Sequence, residues 1–329
     1  MPQDVMTELP INPESPWLAP LAGWSDLPFR LLCRERGAAV CCTEMVSAKG
    51  LVYGGRNTEE LLATRQDDAP LVVQVFGSEA SFMEQAVRML RERGFGWFDV
   101  NMGCSVPKVN KTGSGSALLR TPELALEVAE AVIRAAGHGR AGFKLRLGWD
   151  RPAPGQRPIC HELARRLADL GAGWITLHPR YARQGFSGVA DRSALAEMAE
   201  NLPLPLIASG DLFSAEDGIR VLRECGVSAV MYARGAMADP GIFARHRALQ
   251  AGHALPSPDR EELAALIRRH AELARELAPR TALLKMRTFV PRYLKSLDGA
   301  RNLRRRLIQC TEWTELDDII NAIASGEPA

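Results

Sequence analysis

The stretch PLPLIASGDLFSAEDGIRVLRECGVSAVMYARGAMADPGIF, residues 203–243, shows the unit from which this chain is built. An apolar run ends in Ser-Gly-Asp, a helical pattern follows, and a second apolar run ends in Ala-Arg-Gly before the next helical pattern. Short β-rich runs that alternate with helical segments are typical of parallel strands joined by helices. The stretch therefore predicts two consecutive βα units.

The same unit recurs on either side of this stretch. Short apolar runs lie at residues 16–21, 39–44, 71–76, 97–101, 142–147, 174–178, 205–208 and 229–232, mostly with helical patterns between them. Eight such units within roughly 235 residues predict an α/β fold of the (β/α)8, or TIM, barrel type. A doubly wound open sheet is the alternative, but it normally carries a glycine-rich dinucleotide turn after its first strand. The first run here ends in APLAGWSD, which lacks that spacing.

The alternation stops near residues 254–257, and only helical patterns follow. We therefore predict three parts: an N-terminal extension at 1–15, a catalytic barrel at 16–253 and a small helical domain at 254–329. The last part has an ordinary lower-end size for a domain.

Composition excludes several classes of protein. The chain has 329 residues, of which 24% are charged and 46% hydrophobic, as in a globular domain. No run approaches the roughly 18 apolar residues that a membrane span needs, and the N-terminus does not resemble a secretory signal. Seven cysteines without a CxxC pair predict no structural zinc, no other metal site and no disulfide framework. These features predict a cytoplasmic protein with no membrane association.

Polar residues and glycines follow almost every predicted strand. In a (β/α)8 barrel the chemistry lies at these carboxyl ends, and the loops after the last two strands form the usual phosphate site. Glycine there lets backbone N–H groups approach a phosphate, and Arg234 adds a fixed charge. Lys144, inside FKLRLG, is expected to point into the barrel mouth, where an anionic or electron-rich ring such as reduced flavin would be its partner. His178 could donate to the same ring. An exposed lysine and a structural histidine are the alternatives for these two residues.

Cys104 lies in the long loop that follows the strand ending at Asn101. A free thiol is mostly protonated at neutral pH, because cysteine pKa values are about 8.5, so it is a competent proton donor. Its alternative is a small buried hydrophobic residue. The position at a strand end favours the catalytic interpretation.

The predicted helical domain concentrates positive charge. Residues 280–306 contain nine lysines and arginines and one acidic residue, a net charge of +8, whereas the whole chain carries +2. Such clustering is typical of proteins that bind a phosphate backbone, and a solvated helix face is the alternative. Phe289 and Tyr293 lie among these cations and would either stack on bases or pack in the core.

These residues together resemble the tRNA-dihydrouridine synthases, FMN-dependent enzymes that reduce particular uridines in tRNA. The matching stretches lie in family order, and DVNMGCSVPKVNKTGSGSALL at 99–119 is the most specific. The others are APLAGWSDLPFR, TEMVSAKG, QVFG, FKLRLGW, LHPR, IASGD and ARGAM, and the helical C-terminal part also resembles the RNA-contacting domain of the family.

The resemblance implies a role for each matching residue. Cys104 is the catalytic acid, which gives a proton to C5 of uracil after reduced FMN has given a hydride to C6. The implied FMN contacts are Pro20, Leu21, Ala22, Gln74, Lys144, His178, Ser209, Gly210, Asp211, Ala233 and Arg234. The predicted RNA contacts are Lys108, Asn110, Arg180, Arg287, Arg292, Arg304 and Arg305. Two positions depart from the family pattern: Ser105 stands where proline usually follows the cysteine, and Ser209 stands where asparagine is usual.

The expected partners are tRNA as substrate and NADPH or NADH as a transient reductant, and we expect a monomer. One alternative is an FMN-barrel dehydrogenase that acts on a free small pyrimidine, like dihydroorotate dehydrogenase. It accounts for the phosphate site and Lys144 but not for the basic helical segment. Another is a non-enzymatic RNA-binding protein on an inactive barrel, which the intact set of Cys104, Lys144 and Arg234 disfavours.

Overall fold

The computed structural model describes residues 8–55, 58–256, 258–297 and 299–326. The strands in these ranges are β1 Trp17–Leu18, β2 Val40–Cys42, β3 Val46–Ser47, β4 Leu71–Phe76, β5 Phe98–Met102, β6 Ala141–Gly148, β7 Trp174–Tyr181, β8 Leu206–Ser209 and β9 Ala229–Tyr232. All of their pairings are parallel, in the order β2-β1-β9-β8-β7-β6-β5-β4-β3. A further pairing of β2 with β4 closes the sheet, and the short β3 continues along the end of β4. The predicted (β/α)8 barrel is confirmed.

Helices follow or connect the strands around the barrel. They are α1 Leu27–Glu35, α2 Ala48–Val52, α3 Thr58–Leu61, α4 Ala80–Glu92, α5 Pro107–Asn110, α6 Pro122–Ala136, α7 Ile159–Asp169, α8 Arg192–Asn201, α9 Ala215–Cys225, α10 Arg234–Ala238 and α11 Ile242–Gln250. Short 3₁₀ helices lie at Gln66–Asp68 and Gly115–Arg120. The helix in the opening stretch, α9, begins with a reciprocal capping box between Ser214 and Asp217, which satisfies two free N–H groups of its first turn.

Two strand ends differ from the prediction by three residues each, and the structure gives a reason for both. β1 ends at Leu18, because Pro20 has no N–H to donate to a neighbouring strand. The chain then turns, and the Ser25 N–H donates to the Leu21 carbonyl. β7 continues beyond the predicted end to Tyr181. A register shift in β6 between Arg146 and Gly148 lets the two strands pair again at Tyr181.

The interior of the barrel has an apolar floor and a polar mouth. The rings of Trp17 and Trp97 lie 5.6 and 6.3 Å from that of Trp174 at the amino ends of the strands. Side chains alternate with a period of two along a strand, so the same face continues toward the mouth with polar residues. These are Gln74 on β4, Asp99 and Asn101 on β5, Lys144 and Arg146 on β6, and Thr176 and His178 on β7. Gly142 is required beside the floor, because a Cβ there would lie 2.0 Å from the Trp174 ring.

The C-terminal region is helical, as predicted. It contains α12 Arg260–Leu277, α13 Ala282–Tyr293, a 3₁₀ turn at Leu294–Ser296, α14 Arg301–Gln309 and α15 Trp313–Ser325. The described residues contain no helix that combines the length and apolar character needed to cross a bilayer.

The helical region shares its core with the barrel. Phe289 of α13 lies 4.8 Å from the Trp24 ring and 5.0 Å from the Phe29 ring of α1, as measured between centroids. His270 of α12 packs on Phe289 at 4.6 Å, and its Nδ1 is 2.9 Å from the Tyr293 hydroxyl. Phe289 and Tyr293 are therefore core residues. The division at residue 254 stays a prediction, since one continuous core crosses it.

Candidate active site

One cleft at the carboxyl ends of the strands contains the predicted catalytic residue and all the predicted cofactor contacts. Its lining includes Pro20, Leu21, Ala22, Gln74, Cys104, Lys144, His178, Ser209, Gly210, Asp211, Ala233 and Arg234. Asn101, Arg146, Phe186 and Phe213 also line it and were not among the predicted contacts. A larger groove, of about 830 Å³, lies along residues after β6 and on α7 and α8, and it contains none of the predicted site residues. We therefore place the candidate active site in the smaller cleft.

Cys104 is held at the cleft through its backbone. Its N–H donates to the Asn101 side-chain oxygen at 2.9 Å, and its carbonyl accepts from the Ser116 N–H at 2.9 Å. Gly115 is required at this approach, because a Cβ there would lie 2.7 Å from the Cys104 carbonyl oxygen. Cys104 is partly exposed, whereas the other six cysteines are buried. The thiol is thus the one cysteine sulfur within reach of a ligand in the cleft.

The deep wall of the cleft carries positive charge and a neutral imidazole. Burial, followed by the nearby charges of Lys144 and Arg146, lowers the pKa of His178 to about 2, so its ring is neutral at physiological pH. Arg180 Nη1 lies 3.1 Å from His178 Nε2, and an arginine can only donate. His178 Nε2 is therefore the acceptor, and its ring proton is on Nδ1. Burial also lowers the pKa of Lys144 to about 8, although the charge of Asp99 opposes that shift.

Asp211 joins the last two strand-end loops. Its carboxylate accepts from Arg180 at 2.5 and 2.9 Å, from Arg234 at 2.9 Å and from the Ala190 N–H at 2.9 Å. Burial alone would raise the pKa of Asp211, but these hydrogen bonds and the two guanidinium charges lower it. The preceding Gly210 has a φ of +101°, and a Cβ there would lie 2.5 Å from the His178 ring. Only glycine fits this contact.

Arg180 is buried, with 1% of its surface exposed. Besides Asp211 and His178, it donates to the carbonyls of Ser187 and Gly188. A guanidinium whose donors are engaged inside the protein does not fit the RNA contact that we predicted for Arg180. The sequence showed its strand-end position but not Asp211 as its partner.

Arg234 remains accessible, with 39% of its side chain exposed. Its guanidinium lies over the rings of Phe186, at 4.7 Å, and Phe213, at 4.8 Å. Both rings are more than half exposed at the mouth. Sequence reasoning missed both, because a single aromatic residue in a loop has no periodicity to mark it.

These residues fit FMN. Pro20, Leu21 and Ala22 contribute apolar surface to the cleft. Gln74, Lys144 and His178 contribute an amide, an ammonium group and an imidazole to the same cleft. A cleft that combines apolar surface with a few polar groups is suited to bind a flat ligand with polar edges. The Arg234 guanidinium and the side-chain-free backbone at Gly210 lie at the same cleft, as a terminal phosphate requires. Among the described residues, no cluster of histidine, cysteine and acidic side chains is arranged to hold a metal ion.

The predicted RNA contacts are divided between the cleft and the helical region. Lys108 and Asn110 lie on α5, close after Cys104, and Asn110 accepts from the Ser116 hydroxyl at 3.2 Å. Arg292 is exposed and lies over the Trp24 ring at 5.1 Å, beside the loop that carries Ala22.

The other three predicted contacts lie on α13 and α14. Arg287 donates to the Ile308 carbonyl and Arg304 to the Leu294 carbonyl, so both join helices of the C-terminal region. Arg305 is exposed on α14.

Solved structures share the fold. Morphinone reductase superimposes with a TM-score of 0.50 at 16% sequence identity, over 74% of this chain and 87% of that one. An old yellow enzyme homologue from Zymomonas mobilis gives 0.51 at 13% identity, over 74% and 90%. At these identities the comparison supports the fold alone. Fold and cleft together define a (β/α)8-barrel enzyme.

A family model described as dihydrouridine synthase (Dus) matches residues 17–325. The chain belongs to this family, and the predicted resemblance and oxidoreductase class are confirmed. A probable tRNA-dihydrouridine synthase 1 from Synechocystis sp. is 33% identical over 309 residues, 93% of this chain and 85% of that protein. The tRNA-dihydrouridine synthase B of Pseudomonas aeruginosa is 32% identical over 289 residues, 87% and 86% of the two chains.

Proposed function

We propose that this protein reduces uridines in tRNA to 5,6-dihydrouridine with bound FMN and a nicotinamide nucleotide as reductant. The observation that carries the proposal is the position of the Cys104 thiol. It lines the same cleft as Gln74, Lys144, His178 and Arg234, the groups suited to hold a flavin. The names of the curated relatives support tRNA as the substrate.

Each wall of the cleft has a part in holding the cofactor. Gln74, Lys144 and His178 bind the polar edge of the flavin ring, and Pro20, Leu21 and Ala22 pack against it. Ser209, Gly210, Asp211 and Ala233 hold the ribityl chain, and Arg234 binds the phosphate. When bound, FMN supplies the hydride that adds to C6 of uracil.

Cys104 supplies the proton. Its thiol gives a proton to C5 as the C5–C6 double bond is reduced, and general acid catalysis of this kind requires a donor fixed at the reacting atom. The backbone bonds from Asn101 and Ser116 provide that fixation. Since Cys104 is partly exposed, its thiolate regains a proton from solvent after each turnover.

The RNA lies over the mouth of the barrel and the basic face of the helical region. Lys108 and Asn110 on α5, and Arg292 and Arg305 on α13 and α14, bind its backbone, while a uridine leaves its stack to enter the cleft. Unstacking costs a few kcal/mol and costs least in a loop, so a loop uridine of a folded tRNA is the favoured substrate. We place this reaction in the cytoplasm, with the monomer as the working form.

The experiment compares substrates on one preparation. The purified protein is expected to be yellow, to bleach with NADPH or NADH, and to form dihydrouridine in a tRNA transcript. Free uridine and orotate serve as competing substrates. A colourless protein that binds no FMN would contradict the proposal, and turnover of orotate in preference to tRNA would favour the dehydrogenase alternative.

A further inference from the structure

A chain of hydrogen bonds connects the barrel interior to Cys104. Asp99 on β5 is buried, and one of its carboxylate oxygens accepts from Gln74 Nε2 at 2.6 Å. Gln74 Oε1 accepts from Asn101 Nδ2 at 2.8 Å. Asn101 Oδ1 then accepts from the backbone N–H of Cys104 at 2.9 Å. The chain thus runs from Asp99 to Cys104 through two side-chain amides.

The direction of this chain is determined at both ends, since the backbone N–H groups of Gly103 and Cys104 both donate to Asn101 Oδ1. An ionised carboxylate only accepts hydrogen bonds, whereas an amide side chain can present either its oxygen or its NH₂ group. Asp99 therefore requires Gln74 to turn its NH₂ group inward and its oxygen toward Asn101. Asn101 must in turn present its NH₂ group to Gln74, which leaves its oxygen for the Cys104 N–H. If the Gln74 amide flipped, its oxygen would face the Asp99 carboxylate. Asn101 would then have to turn its oxygen toward Gln74, and the hydrogen bond from the Cys104 N–H would be lost.

We propose that Asp99 is a positioning residue, whose acceptor-only carboxylate orients Gln74 and Asn101 and thereby holds the proton donor Cys104 in place. The role assigned to Cys104 rests on the proposed function. The hydrogen-bond chain itself involves only residues of this protein.

The cost of keeping a carboxylate at this position supports the assignment. The second carboxylate oxygen of Asp99 is buried without a protein partner. Burial raises the pKa of Asp99, although the hydrogen bond from Gln74 and the charge of Lys144 oppose the shift. Burying an ionised carboxylate is costly unless it is paired and hydrogen-bonded. A residue that served only packing at position 99 would therefore be apolar, whereas orienting an amide requires an acceptor.

Three variants separate these roles. Asp99→Leu removes the acceptor at similar volume, and Asp99→Asn retains an acceptor oxygen but removes the charge. Thr176→Val is the matched control, because Thr176 faces the same interior, is buried and has a hydroxyl without a partner. Its removal leaves the chain from Asp99 to Cys104 intact.

The first measurement needs no cofactor. A disulfide reagent that modifies exposed thiols reports Cys104 in the native protein, since the other six cysteines are buried. We expect Asp99→Leu to increase the rate of Cys104 modification about fivefold, the factor equivalent to roughly 1 kcal/mol for one lost hydrogen bond. Asp99→Asn should increase the rate less than Asp99→Leu, because its amide still offers an oxygen to Gln74 but no longer only accepts. Thr176→Val should react like the wild type. A wild-type rate in Asp99→Leu, or an equal increase in Thr176→Val, would overturn the proposal.

The second measurement separates positioning from folding. Asp99→Leu should melt below the wild-type temperature, because the buried Gln74 loses its acceptor and Lys144 loses a nearby negative charge. At a temperature where the variant is fully folded, its reduced flavin should be reoxidised by tRNA about tenfold or more slowly, with an unchanged KM for tRNA. Reoxidation by tRNA at the wild-type rate in the folded variant would overturn the proposal. If the wild type binds no flavin, the proposed function fails, while the thiol measurement still decides whether Asp99 positions Cys104.

Discussion

Arg180 and Asp211 form a buried ion pair through two hydrogen bonds of 2.5 and 2.9 Å, and the same carboxylate accepts from Arg234 at 2.9 Å. One negative charge is thus shared by two positive ones. The cluster has a net positive charge, which is available to a phosphate. Because Arg180 is buried and Arg234 is partly exposed, Arg234 is the residue that we propose for the phosphate contact.

Arg234→Ala is therefore expected to weaken FMN binding. A hydrogen bond to a charged group contributes roughly 1.5–3 kcal/mol, which corresponds to a loss of about ten- to a hundredfold in affinity. Flavin retained after gel filtration and the Kd from flavin fluorescence measure the effect. Arg220→Ala is the control, since Arg220 lies on α9 and pairs only loosely with Asp217 at 3.7 Å. Equal flavin contents in the two variants would remove Arg234 from the phosphate site.

Cys104→Ala should separate the two half-reactions. Flavin binding and bleaching by NADPH need no proton from the thiol, so both should match the wild type. Reoxidation by tRNA should slow by about 10²- to 10⁴-fold, the usual contribution of a positioned acid. Cys104→Ser should be nearly as slow, because a hydroxyl is a much weaker acid. Anaerobic stopped-flow reoxidation of pre-reduced protein decides the matter, and a wild-type rate in the alanine variant would exclude the acid role.

Two adjacent arginines on α14 should behave differently when each is replaced with alanine. Arg305 is exposed, so Arg305→Ala should weaken tRNA binding and reduce the slope of log affinity against log salt by about 1, with an unchanged melting temperature.

Arg304 donates to the Leu294 carbonyl, so Arg304→Ala should instead destabilise the fold, by about 1–2 kcal/mol. Filter binding over a salt series and thermal melts test the pair. Equal changes in tRNA affinity and in melting temperature for the two variants would contradict the different roles assigned to Arg304 and Arg305.

Acidification should destabilise the protein through its buried histidines. Burial lowers the pKa of His270 from 6.5 to about 4, so the unfolded chain takes up a proton at a higher pH than the folded one. The stabilising contribution is complete above pH 6.5 and disappears as the pH falls through 4, a change of about 3 kcal/mol.

The matched variant is His270→Phe combined with Tyr293→Phe, which removes both the titrating ring and its hydroxyl partner. Its free energy of unfolding in urea should fall less between pH 7 and pH 4 than that of the wild type. His253→Gln, at an exposed histidine, is the control. Parallel pH curves for the double variant and the wild type would contradict the assignment.

Local patterns predicted the parts of the site that depend on strand position. Alternation along each strand and the rule that barrel chemistry lies at the carboxyl ends brought Gln74, Lys144 and His178 to the correct end of the barrel. Cys104 followed from its position in the loop after β5. These inferences need only the period of a strand and the direction of the chain.

Properties that depend on partners far away in the sequence were beyond such patterns. Arg180 looked like a free cation until its pairing with Asp211 was visible. Arg287 and Arg304 counted toward a basic surface, although both donate to main-chain carbonyls of the helical region. Asp99 attracted no attention because an acidic residue inside a barrel is defined by its neighbours, which no spacing along the chain reveals.

The contact of Phe289 with Trp24 and Phe29 limits how this enzyme can be engineered or can diverge. Lys285 of α13 also forms an ion pair with Asp26 at 2.6 Å, so the helical region contacts the loop between β1 and α1 through both an apolar and a charged contact. A chimera that imported only the helical region of a relative would expose Trp24 and leave Asp26 without its cation. The segment from Ala22 through α1 would have to be transplanted with it. The helical region is therefore not a separable module, and exchanging it would require coordinated replacement of residues on both sides of its contact with the barrel.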